Sequence, residues 1–426
     1  MRRFNTIPTK ASAFAAAVAS LAMLPAGSAA QASADAGAWQ FSGHLRERFT
    51  YASALDFDEN APDAGSNWAQ RLALTADYAS GKALSGRVTL LSALQQGMQT
   101  SPIEQNNLDL QEAWLQLDVG GAGFRFGRQE VVLGSQRLVG SRDGTNVRRT
   151  WDGVRTVFDV AEWHVDLVGL QLVDVEPTGA FNDTSDKDRL LAGLYGTRDF
   201  GWSGLDLYYL YARFDERFTI EGLANQERHS IGARVFGERG RAFWNWEAIY
   251  QFGRHGTDDI RAWTLATNTG LRFDGAWSPE LMLSANVASG DSARDDGRLE
   301  TFDALYPRGN YFSELAQLGP ANFFNVNPYL TVTPTDRMQV SVDLNLYWRL
   351  ETSDGIYGPP GNLIRPPGGS DERFVNTALS ATIEWKVHRH FLLGLALTHS
   401  RPEAFVEETG TADISNFAQF TIDARF

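Results

Sequence analysis

After residue 38 the chain alternates apolar and polar residues, and helical spacing is almost absent. From Met338 to Arg349, one face carries Met338, Val340, Val342, Leu344, Leu346 and Trp348. The other carries Gln339, Ser341, Asp343, Asn345, Tyr347 and Arg349. Val375 to Lys386 repeats the pattern. Phe417 to Phe426 does so again, with Phe420, Ile422, Ala424 and Phe426 against Gln419, Thr421, Asp423 and Arg425. A period of two predicts β-strands with unlike faces. Runs near ten residues exceed the roughly 5–6 of soluble sheets. They match the roughly 9–11 that cross a bilayer at a tilt.

The breaks in the alternation predict the connections. Tight turns are expected at 79–83, 119–123, 159–162, 199–204, 237–241, 274–279, 334–337 and 387–390. Generally longer polar stretches separate them, near 52–66, 96–107, 132–147, 174–188, 215–227, 254–259, 291–325, 351–372 and 401–416, of which the sixth is short and breaks the pattern. Eight turns and nine loops delimit 18 strands, with both chain ends on the short-turn side. That is the topology of an all-β, transmembrane, antiparallel up-and-down barrel. A β-solenoid or propeller would show a fixed repeat, and none is present.

The first thirty residues fall outside this pattern. Arg2, Arg3 and Lys10 precede the apolar stretch 11–24, and Ser28-Ala29-Ala30 offers small residues for cleavage. This predicts a signal peptide over 1–30 and a single barrel domain over 31–426. Composition narrows the picture further. With no cysteine there is no disulfide scaffold, zinc ribbon or iron–sulfur site. A mean hydropathy of −0.28 excludes a bundle of membrane helices. A formal charge of −14 argues against nucleic acid as a partner. The expected location is the outer membrane of a Gram-negative bacterium. The expected partners there are lipid and lipopolysaccharide, with the protein a monomer. Trp39, Tyr51, Trp68, Tyr78, Trp163, Trp244, Trp348 and Trp385 near strand ends suit interfacial girdles. Phe426 resembles the terminal aromatic that marks such barrels for assembly.

In a closed membrane barrel the apolar face meets lipid and the polar face lines the lumen. A charge facing lipid at mid-depth costs about 2–4 kcal/mol, so charged residues are placed inward. The pore-lining candidates are Arg46, Arg48, Arg71, Arg87, Glu112, Arg128, Arg155, Asp166, Arg234, Glu247, Asp343 and Arg349. Glu47 is the exception, falling on the lipid face beside Phe49. Arginine dominates the first half of the lumen, which suits either cross-lumen bracing or a constriction for carboxylates and phosphates.

No catalytic or cofactor motif accompanies this pattern. His-Glu-x-x-His and Walker sequences are absent. His399 and Ser400 are adjacent, but neighbours on a strand point to opposite faces. His388 and His390 share a turn, and Asp291, Asp295 and Asp296 share the longest loop; both groups suit solvated surfaces as well as weak metal binding. An enzyme is not expected, nor a bound metal or cofactor.

Three blocks carry a resemblance. They are 126–130 with 134–137 and 146–155 (NVRRTWDGVR); 288–291 with 296–298 and 301–307 (TFDALYP); and 332–335 leading to Tyr347-Trp348-Arg349. In that order they resemble the alginate export family of outer-membrane barrels, over essentially the whole mature chain. The resemblance implies an 18-stranded barrel with an arginine-lined pore for an anionic uronate polymer, and it implies Arg128 and Arg155 as pore residues. One departure is that the long periplasmic loop that plugs the exporter is here only the turn 387–390, which implies a more open channel. The expected function is therefore a porin-like channel for anionic or polar solutes, uronate-type saccharides among them. Its alternatives are an alginate-type exporter and a closed structural or adhesive barrel.

Overall fold

The computed structural model describes residues 37–60, 64–98, 102–359 and 361–426, so the signal peptide expected over 1–30 lies outside the described residues. Eighteen long strands run in chain order: β1 Ala38–Ala52, β2 Gly65–Ser80, β3 Leu84–Gly97, β4 Asn106–Val119, β5 Ala122–Gln129, β6 Trp151–Val160, β7 Trp163–Asp174, β8 Thr184–Asp199, β9 Ser203–Thr219, β10 Gly222–Arg239, β11 Ala242–His255, β12 Asp258–Arg272, β13 Glu280–Ala288, β14 Phe323–Thr335, β15 Met338–Trp348, β16 Phe374–His388, β17 Phe391–Pro402 and β18 Ser415–Arg425. Each pairs antiparallel with its neighbour in sequence, and β1 pairs with β18 from His44↔Arg425 to Ala52↔Phe417. That last pairing closes the barrel and leaves no edge strand to satisfy in lipid.

The eight tight turns fall where the alternation breaks. Two of the nine expected loops are different. β9 and β10 continue to Thr219 and Gly222, so 215–227 is mostly hairpin. Its polar residues read as loop, yet a bulge takes up the irregularity: the register shifts between Ala224 and Gln226, where Glu216 sits at φ 58°. Likewise only residues 256–257 separate β11 from β12.

The apolar rows face outward. Val342 and Leu344 are exposed on β15 while Asp343, Asn345 and Tyr347 are buried. Glu47 is the one charge on the outward face of β1, and Gln70 Nε2 of β2 donates to it from the same face. Trp39 packs against Tyr78 at 4.9 Å near the short-turn end. Beyond β18, Phe426 continues the ladder, with Gly43 N donating to its carbonyl at 2.7 Å. Glycine at 43 leaves room for the Phe426 ring, which stands 2.3 Å from where a Cβ would lie.

The interior is not polar throughout, which corrects the simple assignment of the polar face to the lumen. Loop 3 (residues 130–150) and loop 7 (residues 289–322) turn inward and pack on the β6–β12 wall. There the inward positions include Val168, Leu170, Leu191, Leu210 and Ile260, all buried. Val131, Leu133, Leu138 and Val139 of loop 3 and Phe302, Leu305, Tyr306 and Phe312 of loop 7 complete a core inside the barrel. Tyr306 meets Trp151 edge-on at 4.6 Å, and Val139 bridges Tyr306 in parallel. The two loops are thus stitched together before they meet the wall. Burying so much carbon offsets the ordering of two long loops. Above them, loop 8 (residues 349–373) is gathered by Arg349. Its guanidinium donates to the carbonyls of Glu372 (2.6 Å) and Thr352 (2.8 Å) and stacks over Phe405 of the helix Ala404–Thr409.

Candidate functional site

With these loops folded in, a polar cavity of about 310 Å³ remains along β11–β14 at Asn245, Asn268, Asn286 and Tyr329, and most of the free space runs along β1–β3 and β16–β18. Two chambers occupy it. The inner one, about 860 Å³, reaches toward the short-turn end at Ser42, Leu392 and Arg425. The outer one, about 460 Å³, lies under Leu55, Met98 and Pro359 of the long loops. Arg48, Gly144, Asn310, Glu314 and Gln419 line both, and so mark the throat between them.

The throat is built from alternation in β1 and from the tip of loop 3. Arg46 and Arg48 point inward on β1, and Arg71 does so on β2 opposite Arg46. Arg46 donates from Nη1 to Asp143 O (2.8 Å) and from Nη2 to Thr145 O (2.7 Å). Arg71 Nη2 reaches Asp143 Oδ1 at 3.0 Å, and Arg148 lies 3.7 Å from the same oxygen. Arg48 donates to Gly144 O and pairs with Glu104 at 2.9 Å. Asn146 anchors the tip, its Nδ2 donating to Gln70 O (2.9 Å) and Glu104 O (3.0 Å). Burial pushes the Asp143 carboxyl up, but Arg71, Arg148 and Arg46 outweigh it and hold it below the ordinary range.

Seven arginines line the inner chamber (46, 48, 71, 87, 148, 308 and 425) against four carboxylates, Asp143, Glu314, Glu384 and Asp423. The wall is therefore cationic although the chain is acidic. Arg71 keeps Nε and Nη1 buried without a partner. Such groups are costly to leave unmatched. Glu314 at the throat accepts from Asn310 Nδ2 at 2.6 Å and joins no ion pair among the described residues.

Of the twelve sequence candidates, Arg46, Arg48, Arg71 and Arg87 stand on the inner chamber wall. The other eight line neither chamber. Glu112 pairs with Arg87 at 3.3 Å, Arg155 with Asp166 at 2.6 Å, and Arg234 with Asp206 at 2.6 Å. Glu247 takes Arg137 of loop 3 at 2.8 Å and so fastens that loop to β11. Asp343 accepts from Asn327 at 2.9 Å, and Arg349 gathers loop 8. Arg128 bridges Asp152 (2.9 Å) and Asp109 (3.6 Å) where β5 ends. These groups brace the wall.

Several chamber residues escaped the sequence reading. Arg148, Arg308 and Glu314 sit on inward loops, where no period marks a face. Arg125 was legible: it alternates with Phe124 and Phe126, and it lies 3.9 Å over Trp114 on the inner wall. Asp291 is not a solvated loop carboxylate but is fully buried, and Asp354 accepts its amide at 2.9 Å. Among the described residues, no group of three or more acidic, His or Cys side chains is arranged to hold a metal.

The comparisons agree with this geometry. The alginate export family matches residues 38–419. No curated protein matches the sequence. Among solved structures, Pseudomonas aeruginosa OccD3 (OpdP) superposes with a TM-score of 0.65 at 12% identity, covering 96% of this chain and 97% of its own. OccK2 (OpdF) of the same organism, in complex with glucuronate, gives 0.61 at 11% over 91% and 98%. Its OpdK, with vanillate, gives 0.60 at 9% over 91% and 98%. At these identities the likeness is one of fold. The closed 18-stranded barrel, its lipid-facing rows and the match over residues 38–419 lead to one conclusion: the chain belongs to the alginate export family of Gram-negative outer-membrane β-barrels.

Proposed function

We propose that the protein is a passive outer-membrane channel that prefers solutes bearing carboxylates. The observation that carries this reading is the arginine excess of the inner chamber, which begins at the Arg48 throat and continues past Arg46 and Arg71 to Arg87. An anion leaving bulk water in a narrow lumen loses hydration, and guanidinium groups replace it with charge-assisted hydrogen bonds. Uronates belong to this class, as the family match and the glucuronate-bearing neighbour suggest. The family match also favours a second reading, outward passage of a uronate polymer. Against it stands the short connection between β16 and β17, which leaves the periplasmic end of the chamber without a plugging loop.

Glucuronate added to one side of a planar bilayer should reduce chloride current through the purified barrel, whereas glucose of similar size should not. Replacing Arg46, Arg71 and Arg87 together by glutamine should weaken that block by roughly tenfold or more. A silent protein would support the closed structural barrel. An unchanged block in the triple variant would leave these arginines a bracing role only.

A further inference from the structure

The outer chamber differs in chemistry from the inner one. Carbon dominates its walls, through Leu55, Met98, Ile103, Pro307, Ala316 and Pro359. Into this setting loop 3 brings Arg142. Its Nε donates to Thr145 Oγ1 at 3.3 Å, and among the described residues it joins no ion pair. Its strongest electrostatic support is Glu104, but that carboxylate is already engaged by Arg48 Nη2 (2.9 Å) and Asn146 N (2.9 Å). Burial draws the Arg142 pKa down to about 10, so the group stays charged at neutral pH while lacking a counter-ion.

Arg48 and Arg149 line the same chamber, but Arg48 is paired with Glu104 and Arg149 is tied to carbonyls, so Arg142 is the guanidinium there left for a ligand. A carboxylate would accept its two terminal nitrogens as a fork, and the low polarity of the walls would strengthen the pair. An apolar body attached to that carboxylate would leave water for the wall. A uronic acid would instead press much of its hydroxyl surface against carbon, with partners confined to polar side chains such as Thr50, Asn67 and Gln419. The volume, about 460 Å³, lies within the range of small-ligand sites.

We propose that the outer chamber is a capture site for a monocarboxylate with an apolar body, its carboxylate on Arg142 and its body against Leu55, Met98, Ile103 and Ala316. The site opens onto the throat at Arg48, so a captured acid is one step from the arginine wall. The inference deepens the transport reading and rests on it only for the passage of a captured acid onward; binding itself is independent of conductance.

Isothermal titration calorimetry on the full-length barrel in detergent tests it, with 2-naphthoate and glucuronate as probes and R142Q in the same detergent as the reference for micelle partitioning. Naphthoate should bind the wild type at least about tenfold more tightly than it binds R142Q, and more tightly than glucuronate binds the wild type. Should R142Q disturb loop 3, the double variant Leu55→Asn with Ile103→Thr alters no residue of that loop and keeps the backbone bond from Val147 N to Ile103 O. It should weaken naphthoate and leave glucuronate unchanged. Equal naphthoate binding by the wild type and both variants, or glucuronate binding as tightly as naphthoate, would overturn the proposal. Glucuronate block of the current in the absence of naphthoate binding would sink this site while leaving the transport reading intact. Naphthoate binding to a silent barrel would do the reverse.

Discussion

At the residue scale, the throat is a balance of few charges. Arg48 is neutralised by Glu104, and Arg71 shares Asp143 with Arg148, whereas the Glu314 carboxylate stands at the throat with no ion pair among the described residues. In a confined lumen one unit charge changes ion permeability by about two- to fivefold at moderate salt. E314Q should therefore raise anion preference, read as a larger reversal potential in a salt gradient. No shift would place Glu314 off the ion path. This residue was invisible in the sequence, because loop 7 has no alternation that assigns a face. Arg46, Arg48, Arg71 and Arg87 were visible, because each sits in a strand whose other face is apolar apart from isolated polar residues such as Glu47 and Gln70.

At the element scale, loops 3 and 7 decide what the barrel encloses. The strands and their turns were legible from period two, and even the two hairpins mistaken for loops were lost only to polar composition. The loop core was not legible: Leu170, Leu191 and Leu210 occupy inward positions, and alternation alone cannot tell a dry interior from a wet one. Arg149 pins the two loops, its Nη1 donating to Gly140 O at 3.0 Å and to Pro307 O at 3.1 Å. R149A should loosen the seam by about 2–3 kcal/mol and give a wider, noisier channel in single-channel records. An unchanged conductance would show that the apolar core holds the loops unaided. Loops 7 and 8 meet at Asp291, whose pKa is raised to about 7 by burial and then by Glu221, Asp354 and Glu300. A carboxyl raised in the folded state opposes closure wherever the open state would ionise. The closed junction should thus be firmest near pH 4, weaken as pH rises, and level off above about 7. Hydrogen exchange at the Asn322 and Leu350 amides, corrected for intrinsic rate, should show that trend in the wild type and lose it in D291N. A flat profile in the wild type would refute it.

At the scale of the whole molecule, an acidic protein surrounds a cationic path. The formal charge of −14 says nothing about selectivity, because the free space is lined by arginines of β1–β3, of β18 and of the inward loops, whereas Arg128, Arg155 and Arg234 of β5, β6 and β10 are spent on wall carboxylates and Arg125 on an indole. What remains is an eccentric channel bounded by β1–β3 and β16–β18, its outer chamber mostly apolar and its inner chamber polar and arginine-rich. Charge selectivity of the intact barrel tests this most directly. With a tenfold KCl gradient across a planar bilayer, the zero-current potential should have the sign set by chloride. A sign set by potassium would contradict the arginine-lined path.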